Sequence, residues 1–549
     1  MANEKVWVAI ITISVVISLA TLVTVPVLRE RRNSDIQDYG TQQYAILIDA
    51  GSSGSRLSVF TWDRNTRLLK GSGVISQVGE SCSNSSARGI SEYAIPADAA
   101  QSLVGCLNEA IEIVPSTHHH LTPLYLAATA GMRLLQEKNA TQADAILDAI
   151  LDLFDAYPFQ QDDTDEKHAR IITGVEEGLF GWITVNYLLG LIDPDKNPEP
   201  VRTAGALDLG GASTQISFVP YNGSNGEFEN SSLFYSNVTA YDRSYVAYSH
   251  SFLCYGLNEA RRRYQGNLVQ VANYSSVVED PCGLRGDVVN VTGEFLWLPP
   301  CSSGHEAITA WGDILHKPDL SRLAKSAYDR VNMLGAAEDA NFQLLGTGNS
   351  SECRRLVDQM FDNTECTYPS CSFNGAYQPS LADNDFIAFA GYFYQAEPMN
   401  VTGPVPLGKL VNATDMVCRM TLEEVLQLPS IRAEFASRYC FAFKYAVSLL
   451  TDGFGFSLDA VIDVRDDING TDTGWALGYV IHASSVVPVD FGPQAFLSTT
   501  SYAFLLAASA LLILLTIPCV VRVYRRRRMA KAGFVRIPGQ DHSQYVPVA

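Results

Sequence analysis

The sequence is short of basic residues and of charge in general. It has 39 lysines and arginines against 59 aspartates and glutamates, a formal net charge of -20, and only 18% of its 549 residues are charged. Binding to nucleic acid depends on clustered lysine and arginine, so this balance argues against a nucleic-acid-binding protein. Disordered chains are poor in hydrophobic residues, whereas 47% of this one is hydrophobic, so we expect a folded protein.

Long apolar runs are absent from most of the chain and occur only near its two ends. Residues 6–28 and 496–521 are almost entirely apolar or small, and each run is long enough to cross a membrane core of about 30 Å. The first run is longer than the apolar part of a usual signal peptide and lacks a convincing cleavage site, which favours a retained anchor. We therefore predict two transmembrane helices, through which copies of the chain could form homo-oligomers.

Basic residues on one side of the second apolar run predict the orientation. Arg522, residues 525–528 and Lys531 follow that run directly, which is typical of a cytosolic flank. Two spans then place both termini in the cytosol and residues of about 29–494 outside it. The arginines within residues 29–32 favour the opposite orientation, but the carboxy-terminal cluster is the larger signal. The segment between the spans has 31 basic and 57 acidic residues, a charge of -26.

Cysteines are few, but their placement is informative. Of the eleven, Cys519 lies in the second apolar run, and the other ten lie between the runs, an even number that fits five disulfides in an oxidising compartment. Ten free thiols in a cytosolic protein are the alternative, which the two anchors disfavour. Eleven N-glycosylation sequons, whose density suits an extracellular or lumenal surface, also lie between the runs: Asn84, Asn139, Asn222, Asn230, Asn237, Asn273, Asn290, Asn349, Asn400, Asn412 and Asn469.

The segment between the anchors is too long for one comfortable core, so we expect two lobes. Strand patterns at residues 44–48, 57–62 and 124–128 alternate with helical patterns at residues 97–113 and 140–157, which predicts a mixed α/β sheet. The predicted organisation is a cytosolic start (1–5), a transmembrane helix (6–28), a linker (29–43), a first lobe (44–174, with a return at 468–494), a second lobe (175–467), a transmembrane helix (496–521) and a cytosolic basic tail (522–549).

One pattern occurs twice. Residues 46–55 and 205–214 each contain an apolar strand, then Asp-x-Gly, then a small hydroxyl-rich loop that leads into a second strand. One such turn is ordinarily just a tight hairpin, but two of them favour a pair of related lobes that share a phosphate-binding cleft. Glycine and serine at a hairpin tip let backbone N–H groups and hydroxyls approach phosphate. Asp49 and Asp208, at the strand ends, suit a divalent cation held through water.

Two further segments fit such a cleft. Residues 126–133 leave a strand through small residues that could line a phosphate site. Residues 172–182 place Glu176 and Glu177 at the start of a predicted helix. The helix dipole alone would favour acidic residues at that position. Beside the other loops, one of the two carboxylates becomes a candidate general base.

These four segments, in this order, resemble the conserved regions of the ecto-nucleoside triphosphate diphosphohydrolases, the apyrase family. Residues 472–479 resemble the last region of that family, so the resemblance covers nearly the whole segment between the anchors. It implies an α/β fold of two RNase-H-like lobes of the actin/sugar-kinase superfamily, with the active site between them. It also implies extracellular hydrolysis of nucleoside tri- and diphosphates to monophosphate and phosphate, by in-line attack of water.

The resemblance implies a role for each motif residue. Glu177 would deprotonate the attacking water, which Ser213 and Gln215 would hold. Asp49 and Asp208 would organise Ca²⁺ or Mg²⁺, largely through water. The implied phosphate-binding residues are Ser52, Ser53, Gly54, Thr129, Gly210, Gly211 and Ala212. The implied nucleobase-stacking residues are Tyr392, Phe393 and Phe454, although core packing explains these aromatics equally well. The implied disulfides are Cys82–Cys106, Cys254–Cys301, Cys282–Cys353, Cys366–Cys371 and Cys418–Cys440.

The resemblance also bears on location and on rival functions. Two spans and ten cysteines are similar to the membrane-bound surface branch, which implies a plasma-membrane protein with an extracellular catalytic segment. Gly54, followed by Ser55 and Arg56, departs from that branch, which keeps a Golgi or endolysosomal membrane as the second location and leaves the triphosphate/diphosphate preference open. The rival functions are a catalytically silent receptor-like ectodomain and a sugar kinase. The presence of Glu177 argues against the silent ectodomain, and no sugar pocket is recognisable.

Overall fold

The computed structural model describes the chain in fourteen stretches. Contacts between residues divide the chain into a central unit, Gln42–Val489, and a terminal unit, Met1–Thr41 with Asp490–Ala549. The described residues are 12–27, 42–63, 76–81, 88–160, 168–193, 197, 202–220, 234–240, 243–302, 340–361, 366–486, 499–532, 534–536 and 545–547.

Nineteen strands lie in the described stretches. They are β1 (Gln42–Gly51), β2 (Gly54–Asp63), β3 (Ser76–Ser81), β4 (Leu124–Ala128), β5 (Ala169–Ile171), β6 (Gly205–Leu209), β7 (Ser213–Phe218), β8 (Tyr235–Ala240), β9 (Arg243–Leu253), β10 (Val277–Asp280), β11 (Val288–Thr292), β12 (Asn341–Gly346), β13 (Phe386–Ala390), β14 (Gly403–Pro406), β15 (Val461–Val464), β16 (Asp467–Ile468), β17 (Thr471–Asp472), β18 (Phe534–Arg536) and β19 (Tyr545–Pro547).

The helices of the same stretches differ widely in length. Besides the apolar helix Thr12–Val27 and several short 3-10 and π segments, they are α1 (Pro96–Gln101), α2 (Val104–Ile113), α3 (Ala130–Phe154), α4 (Gly174–Leu188), α5 (Leu257–Val271), α6 (Gly293–Leu296), α7 (Ser350–Asp358), α8 (Gly391–Ala396), α9 (Leu407–Val417), α10 (Leu422–Val425), α11 (Ala433–Ala436), α12 (Tyr439–Ser448), α13 (Ala476–Val486) and α14 (Thr499–Lys531). The pattern at residues 97–113 predicts one helix, but the chain breaks it into α1 and α2. The pattern at residues 140–157 marks only the second half of α3, which kinks at Asn139.

Each of the two large sheets contains five strands in the same order and with the same relative directions. The first has the order β3-β2-β1-β4-β5, with β1 antiparallel to β2 and parallel to β4. The second has the order β14-β15-β13-β6-β7-β9-β8, and there β6 is antiparallel to β7 and parallel to β13. The sequence pattern that occurs twice therefore forms one hairpin in each of two sheets, and these sheets have an equivalent strand order. This supports the prediction of two related lobes. A smaller sheet, β10-β12-β11, lies in the second half of the central unit.

One hydrophobic core joins the two large sheets. It contains Leu47 of β1, Trp182 of α4, Ile387 of β13 and Ile481 of α13, all almost fully buried. The central strands β4, β6 and β13 are buried along almost their whole length, and strands that are buried on both faces appear in a sequence as near-continuous apolar runs. Helix α13 contacts α4 and also β1 and β2. The chain thus returns to the first sheet after β17, near the predicted boundary at residue 468.

Disulfides cross-link the second half of the central unit. The bonded pairs are Cys254–Cys301, Cys282–Cys353, Cys366–Cys371 and Cys418–Cys440, the same four pairs that the resemblance implies. Cys106 is also disulfide-bonded, and its implied partner, Cys82, lies outside the described residues. The sulfur atoms of Cys353, Cys418 and Cys440 lie within 4.8 Å of one another because two of these disulfides pack side by side. Their closeness therefore does not indicate a metal site.

The terminal unit contains the apolar helices. Ser501–Met529, within α14, is long and apolar enough to cross a membrane, and Thr12–Val27 is a shorter apolar helix. The remainder of the first predicted span lies outside the described residues. The described structure thus supports one candidate span of the two predicted. Strands β18 and β19 pair in the basic tail after α14.

Candidate active site

Two β-hairpins of the same register frame the site. In the first, Asp49 of β1 pairs with Arg56 of β2 across the ladder. In the second, Asp208 of β6 pairs with Gln215 of β7 in the same way. The aspartate and its cross-strand partner are equally far apart in sequence in the two hairpins. The two similar stretches of sequence therefore form equivalent structures, each with a carboxylate at the strand end.

The tips of the two hairpins meet. A Cβ atom built on Gly211 would lie 2.7 Å from Oγ of Ser52, so the backbone of the second tip lies directly against the Ser52 side chain of the first. Backbone N–H groups and hydroxyls on facing tips are suited to binding phosphate. Of the residues predicted to bind phosphate, Thr129 and Ala212 are buried, and the others are at least partly exposed: Ser52, Ser53, Gly54, Gly210 and Gly211.

Four carboxylates converge beside these tips. Burial raises the pKa of Asp49 to about 7, Arg56 opposes the shift, and the charges of Glu177 and Asp472 add to it. Burial and the charges of Glu177, Asp49 and Asp472 raise the pKa of Asp208 well above its ordinary value. Oδ1 of Asp49 is buried and has no hydrogen-bond partner among the described residues. Oxygen ligands that repel one another and are incompletely satisfied fit a divalent cation such as Ca²⁺ or Mg²⁺.

The first turn of α4 gives its two acidic residues different positions. Glu176 completes a capping box, in which its Oε2 accepts from the backbone N–H of Thr173 at 2.7 Å. Glu176 also forms an ion pair of 2.9 Å with Arg170. Glu177, by contrast, is 7% exposed and faces the hairpins. The preference for acidic residues at a helix N-terminus therefore accounts for Glu176. Glu177 remains as the candidate base.

Glu177 lies within a network of hydrogen bonds. Its Oε2 accepts from Nη2 of Arg133 at 2.6 Å and from Nε2 of Gln215 at 2.9 Å. Oγ of Ser213 accepts from the same two groups, at 3.1 Å from Arg133 and 2.8 Å from Gln215. Burial raises the pKa of Glu177, and the charge of Arg133 opposes that shift. The three residues predicted to activate water thus lie together, with an arginine that favours the ionised carboxylate.

The sequence did not indicate one member of this network, Ser251 of β9. Oγ of Ser251 lies 3.0 Å from Nε2 of Gln215, which donates to it. A Cβ atom built on Gly174 would lie 2.3 Å from the same Oγ, so the glycine lets α4 begin directly over the serine. The sequence around Ser251 carries no motif. Its role becomes visible only from the pairing of β7 with β9.

The last motif joins the first through an ion pair. Nη1 of Arg56 lies 3.2 Å from Oδ2 of Asp472, and both side chains are partly exposed. The other carboxylate oxygen of Asp472 accepts from the backbone N–H of Gly474 at 3.0 Å. Arg56 belongs to the stretch in which the first motif departs from the surface branch. It therefore places a positive charge beside the carboxylates.

The predicted nucleobase residues lie in different environments. Tyr392 and Phe454 are 3% and 2% exposed and belong to the hydrophobic core of the second lobe. Stacking on a base requires an exposed ring face, so core packing accounts for these two and the predicted base contact is not supported. Phe393 is half-buried, and the adjacent Tyr394 is 46% exposed. Among these four aromatic residues, only Phe393 and Tyr394 offer a ring face to a ligand.

Comparison with solved structures supports the fold. A nucleoside triphosphate hydrolase from Neospora caninum superimposes with a TM-score of 0.56, covering 87% of this chain and 98% of that one, at 18% identity. At this identity the likeness concerns the fold alone. It agrees with a mixed α/β architecture built on two large sheets.

Comparison with sequences identifies the family. The chain is 33% identical over 499 residues to ectonucleoside triphosphate diphosphohydrolase 1 of Bos taurus, covering 88% of this chain and 89% of the relative. It is 31% identical to ectonucleoside triphosphate diphosphohydrolase 3 of Homo sapiens, covering 94% and 93%. The model of the GDA1/CD39 (nucleoside phosphatase) family matches residues 36–499. The chain, with its paired hairpins and the carboxylate cluster between them, therefore belongs to the GDA1/CD39 (nucleoside phosphatase) family.

Proposed function

We propose that this chain hydrolyses nucleoside tri- and diphosphates, releasing the terminal phosphate. One observation carries the proposal: Arg133 and Gln215 each donate to both Glu177 and Ser213, beside two facing glycine-rich tips. A silent ectodomain would not need a buried carboxylate held in this way. All three residues predicted to activate water lie in this network, which favours the enzyme over the receptor-like ectodomain.

The network can activate water. Water oxygen attacks the terminal phosphorus, the bond from that phosphorus to the bridging oxygen breaks, and the nucleotide leaves with that oxygen. Glu177 accepts the proton of the water, which Ser213 and Gln215 orient. Oε1 of Gln215 is buried without a partner among the described residues, and it can accept a hydrogen bond from the water. Burial raises the pKa of Glu177, and the charge of Arg133 opposes that shift in favour of the ionised carboxylate.

Local groups must offset the charge of the substrate. The protein carries a net charge of -20, and nucleotides are polyanions, so binding requires donors and a cation at the cleft. We propose that Asp49 and Asp208 hold Ca²⁺ or Mg²⁺, largely through water. When bound, the cation would neutralise charge on the phosphate oxygens. Ser52, Gly54 and the tip around Gly211 would donate to the same oxygens.

Phe393 and Tyr394 offer the ring faces for a nucleobase. Stacking on an aromatic ring tolerates every base, since each base has a π-face. We therefore propose a broad nucleotide specificity. The preference between tri- and diphosphates depends on the first hairpin, where Gly54 and Arg56 replace the usual surface-branch pattern.

We propose a two-pass plasma-membrane protein with both termini in the cytosol. The candidate span Ser501–Met529 and the basic residues that end it support this topology. The lobe boundaries at residues 174 and 467, the Golgi or endolysosomal membrane as the second location, and homo-oligomers through the transmembrane helices remain parts of the proposal. Exposed sequon asparagines support a lumenal or extracellular position for the central unit.

Phosphate release tests the proposed function. The full-length protein in detergent or membranes should release phosphate from both ATP and ADP when Ca²⁺ or Mg²⁺ is present. EDTA should abolish the release, because the carboxylate cluster then repels the substrate. If the folded wild type releases no phosphate from any nucleotide, the proposed function is wrong.

A further inference from the structure

Six basic residues follow the apolar part of α14 with no acidic residue near them in the sequence. They are Arg522, residues 525–528 and Lys531, and residues 491–540 contain neither aspartate nor glutamate. Basic residues at such a position set the orientation of a membrane span. Orientation alone does not neutralise their charge, however, and the neighbouring sequence supplies no carboxylate that could do so. Their charge is therefore available to an anionic ligand.

Helix α14 continues from the apolar part into this basic segment. It runs from Thr499 to Lys531, whereas its uncharged part ends at Val521. At 1.5 Å per residue the uncharged part is about 35 Å long, which is enough to span a hydrocarbon core of about 30 Å. The basic part, residues 522–531, therefore extends about 15 Å beyond the core as a continuation of the same helix.

This helical geometry gives the distance of each basic residue from the hydrocarbon core. The headgroup region adds about 5–7 Å on each side of the core. Arg522 lies at the edge of the core, and Arg525 and Arg528 lie about 6 Å and about 10 Å beyond Val521. Lys531, about 15 Å beyond Val521, is still within one Debye length, about 8 Å, of the headgroups. All six basic residues are thus within electrostatic reach of the lipid headgroups.

The basic residues surround the helix and do not form a single face. At about 100° per residue, positions 522, 525 and 526 lie on one side, and positions 527, 528 and 531 lie on the opposite side. Five of the six side chains are described, and all five are exposed: Arg522, Arg525, Arg527, Arg528 and Lys531. A folded protein partner would contact one face of a helix, whereas lipid headgroups surround it. This distribution favours lipid as the ligand.

The side-chain chemistry indicates the kind of headgroup. Five of the six basic residues are arginines, and the planar guanidinium can donate to two phosphate oxygens at once. Zwitterionic headgroups carry no net charge that would attract these residues. Anionic lipids are characteristic of the cytosolic leaflet, where the proposed topology places this segment. Tyr524, which is 66% exposed, has the amphipathic ring that is typical of the membrane interface.

We propose that residues 522–531 of α14 bind anionic phospholipids of the cytosolic leaflet, with a preference for headgroups that carry several phosphates. This inference rests on the proposed two-pass topology and does not depend on nucleotide hydrolysis. Each basic residue close to an anionic surface strengthens the attraction about fivefold. The site would favour residence of the protein in membranes whose cytosolic leaflet is rich in such lipids.

Native mass spectrometry of the full-length protein in detergent tests this inference. The probes are phosphatidylcholine, phosphatidylserine and phosphatidylinositol bisphosphate, each added at the same concentrations. The wild type should bind the bisphosphate lipid most tightly and phosphatidylcholine least tightly. Replacing Arg525, Arg527 and Arg528 together by glutamine should weaken binding of the bisphosphate lipid about tenfold or more. Replacing the same three by lysine should leave binding of phosphatidylserine within about threefold of the wild type, because the charge is kept.

A matched control changes the same number of arginines in the central unit. Arg202, Arg285 and Arg355 are exposed, and replacing all three by glutamine should leave lipid binding unchanged. Equal binding of the three lipids by the wild type would overturn the inference, as would wild-type affinity for the bisphosphate lipid in the tail variant. Soluble inositol trisphosphate that binds as tightly as the lipid would indicate a free-phosphate site instead. Polyglutamate that binds more tightly than the lipid would indicate an acidic protein partner.

Protease treatment of intact cells separates this inference from the proposed topology. The tail after Lys531 should be protected from protease outside the cell and be digested only after the membrane is opened. A tail that is digested in intact cells refutes the topology, and this inference with it. A protected tail in a protein without lipid preference refutes this inference alone. Phosphate release from ATP and ADP tests the proposed hydrolysis independently of either result.

Discussion

Gln215 donates from Nε2 to the carboxylate of Glu177 at 2.9 Å, although the two residues come from different elements, β7 and the first turn of α4. The same nitrogen lies within 3.0 Å of Oγ of Ser251 and 2.8 Å of Oγ of Ser213. The amide is therefore fixed with its oxygen turned away from the carboxylate. That orientation leaves Oε1 as the acceptor for a water molecule.

Removing the hydroxyl of Ser251 should leave the side-chain amide of Gln215 less firmly held. We expect Ser251→Ala to lower kcat about five- to tenfold, the effect of losing one neutral hydrogen bond, with a smaller change in KM. Ser249→Ala is the matched control, because Ser249 lies on the same strand but bonds to Ser217 and to the carbonyl of Val175. Equal kcat values for the two variants would show that Ser251 does not position Gln215.

Divalent cations should stabilise the protein more at higher pH. The pKa of Asp49 is raised to about 7 from an ordinary value of 3.8, so its protonated form favours folding. That contribution is present at low pH and is lost as the pH rises through about 7. The cation-free protein should therefore melt at a lower temperature at about pH 8 than at about pH 6, and Ca²⁺ should raise the melting temperature more at the higher pH.

Thermal melts with EDTA and with Ca²⁺ at both pH values measure this effect. Asp49→Asn removes the titrating group and should flatten the pH dependence. A calcium shift of the same size at both pH values in the wild type would contradict the assignment of Asp49 to the cation site.

The disulfides should contribute unequally to stability. Cys282–Cys353 closes a loop with a sequence separation of 71, and Cys366–Cys371 one of 5. Loop-closure entropy assigns about 4 kcal/mol to the first and about 2 kcal/mol to the second. Replacing both cysteines of a pair by serine, followed by denaturant unfolding, should show the larger loss for Cys282–Cys353. Equal losses would mean that these disulfides do not stabilise the protein mainly by restricting the unfolded chain.

N-glycosylation should be extensive on the central unit. All eight sequon asparagines in the described stretches are exposed: Asn139, Asn237, Asn273, Asn290, Asn349, Asn400, Asn412 and Asn469. Protein made in eukaryotic cells should lose mass in several steps under limited treatment with a glycosidase, and glycopeptide mass spectrometry should identify these positions. A protein that carries no glycan would contradict the predicted position of this unit outside the cytosol.

Local patterns in the sequence predicted the hairpins and part of the site. Asp49 and Asp208 could be placed at equivalent strand ends because an Asp-x-Gly turn and its flanking apolar runs are encoded in one short segment. Glu177 could be proposed as the base because two acidic residues begin an apolar helix. The structure then separates their roles, since only Glu176 has the spacing to Thr173 that a capping box needs.

Contacts between distant segments could not be predicted in this way. The ion pair of Arg56 with Asp472 and the contact of Ser251 with Gln215 depend on sheet order and on the return of the chain to the first sheet. The burial of Tyr392 and Phe454 could not be predicted either, because an aromatic run has the same sequence pattern in a core and in a base-binding site. Each of these features depends on the tertiary structure, which cannot be deduced from the spacing of residues along one strand.

The kcat of Glu177→Gln tests the central claim most directly. Glutamine keeps the size of the side chain but cannot accept the proton from water, so phosphate release from ATP should fall about a thousandfold. Glu176→Gln, which changes the neighbouring capping residue, should keep kcat within about threefold of the wild type. Melting temperatures of both variants verify that they are folded. A folded Glu177→Gln protein that keeps most of the wild-type kcat would contradict the account.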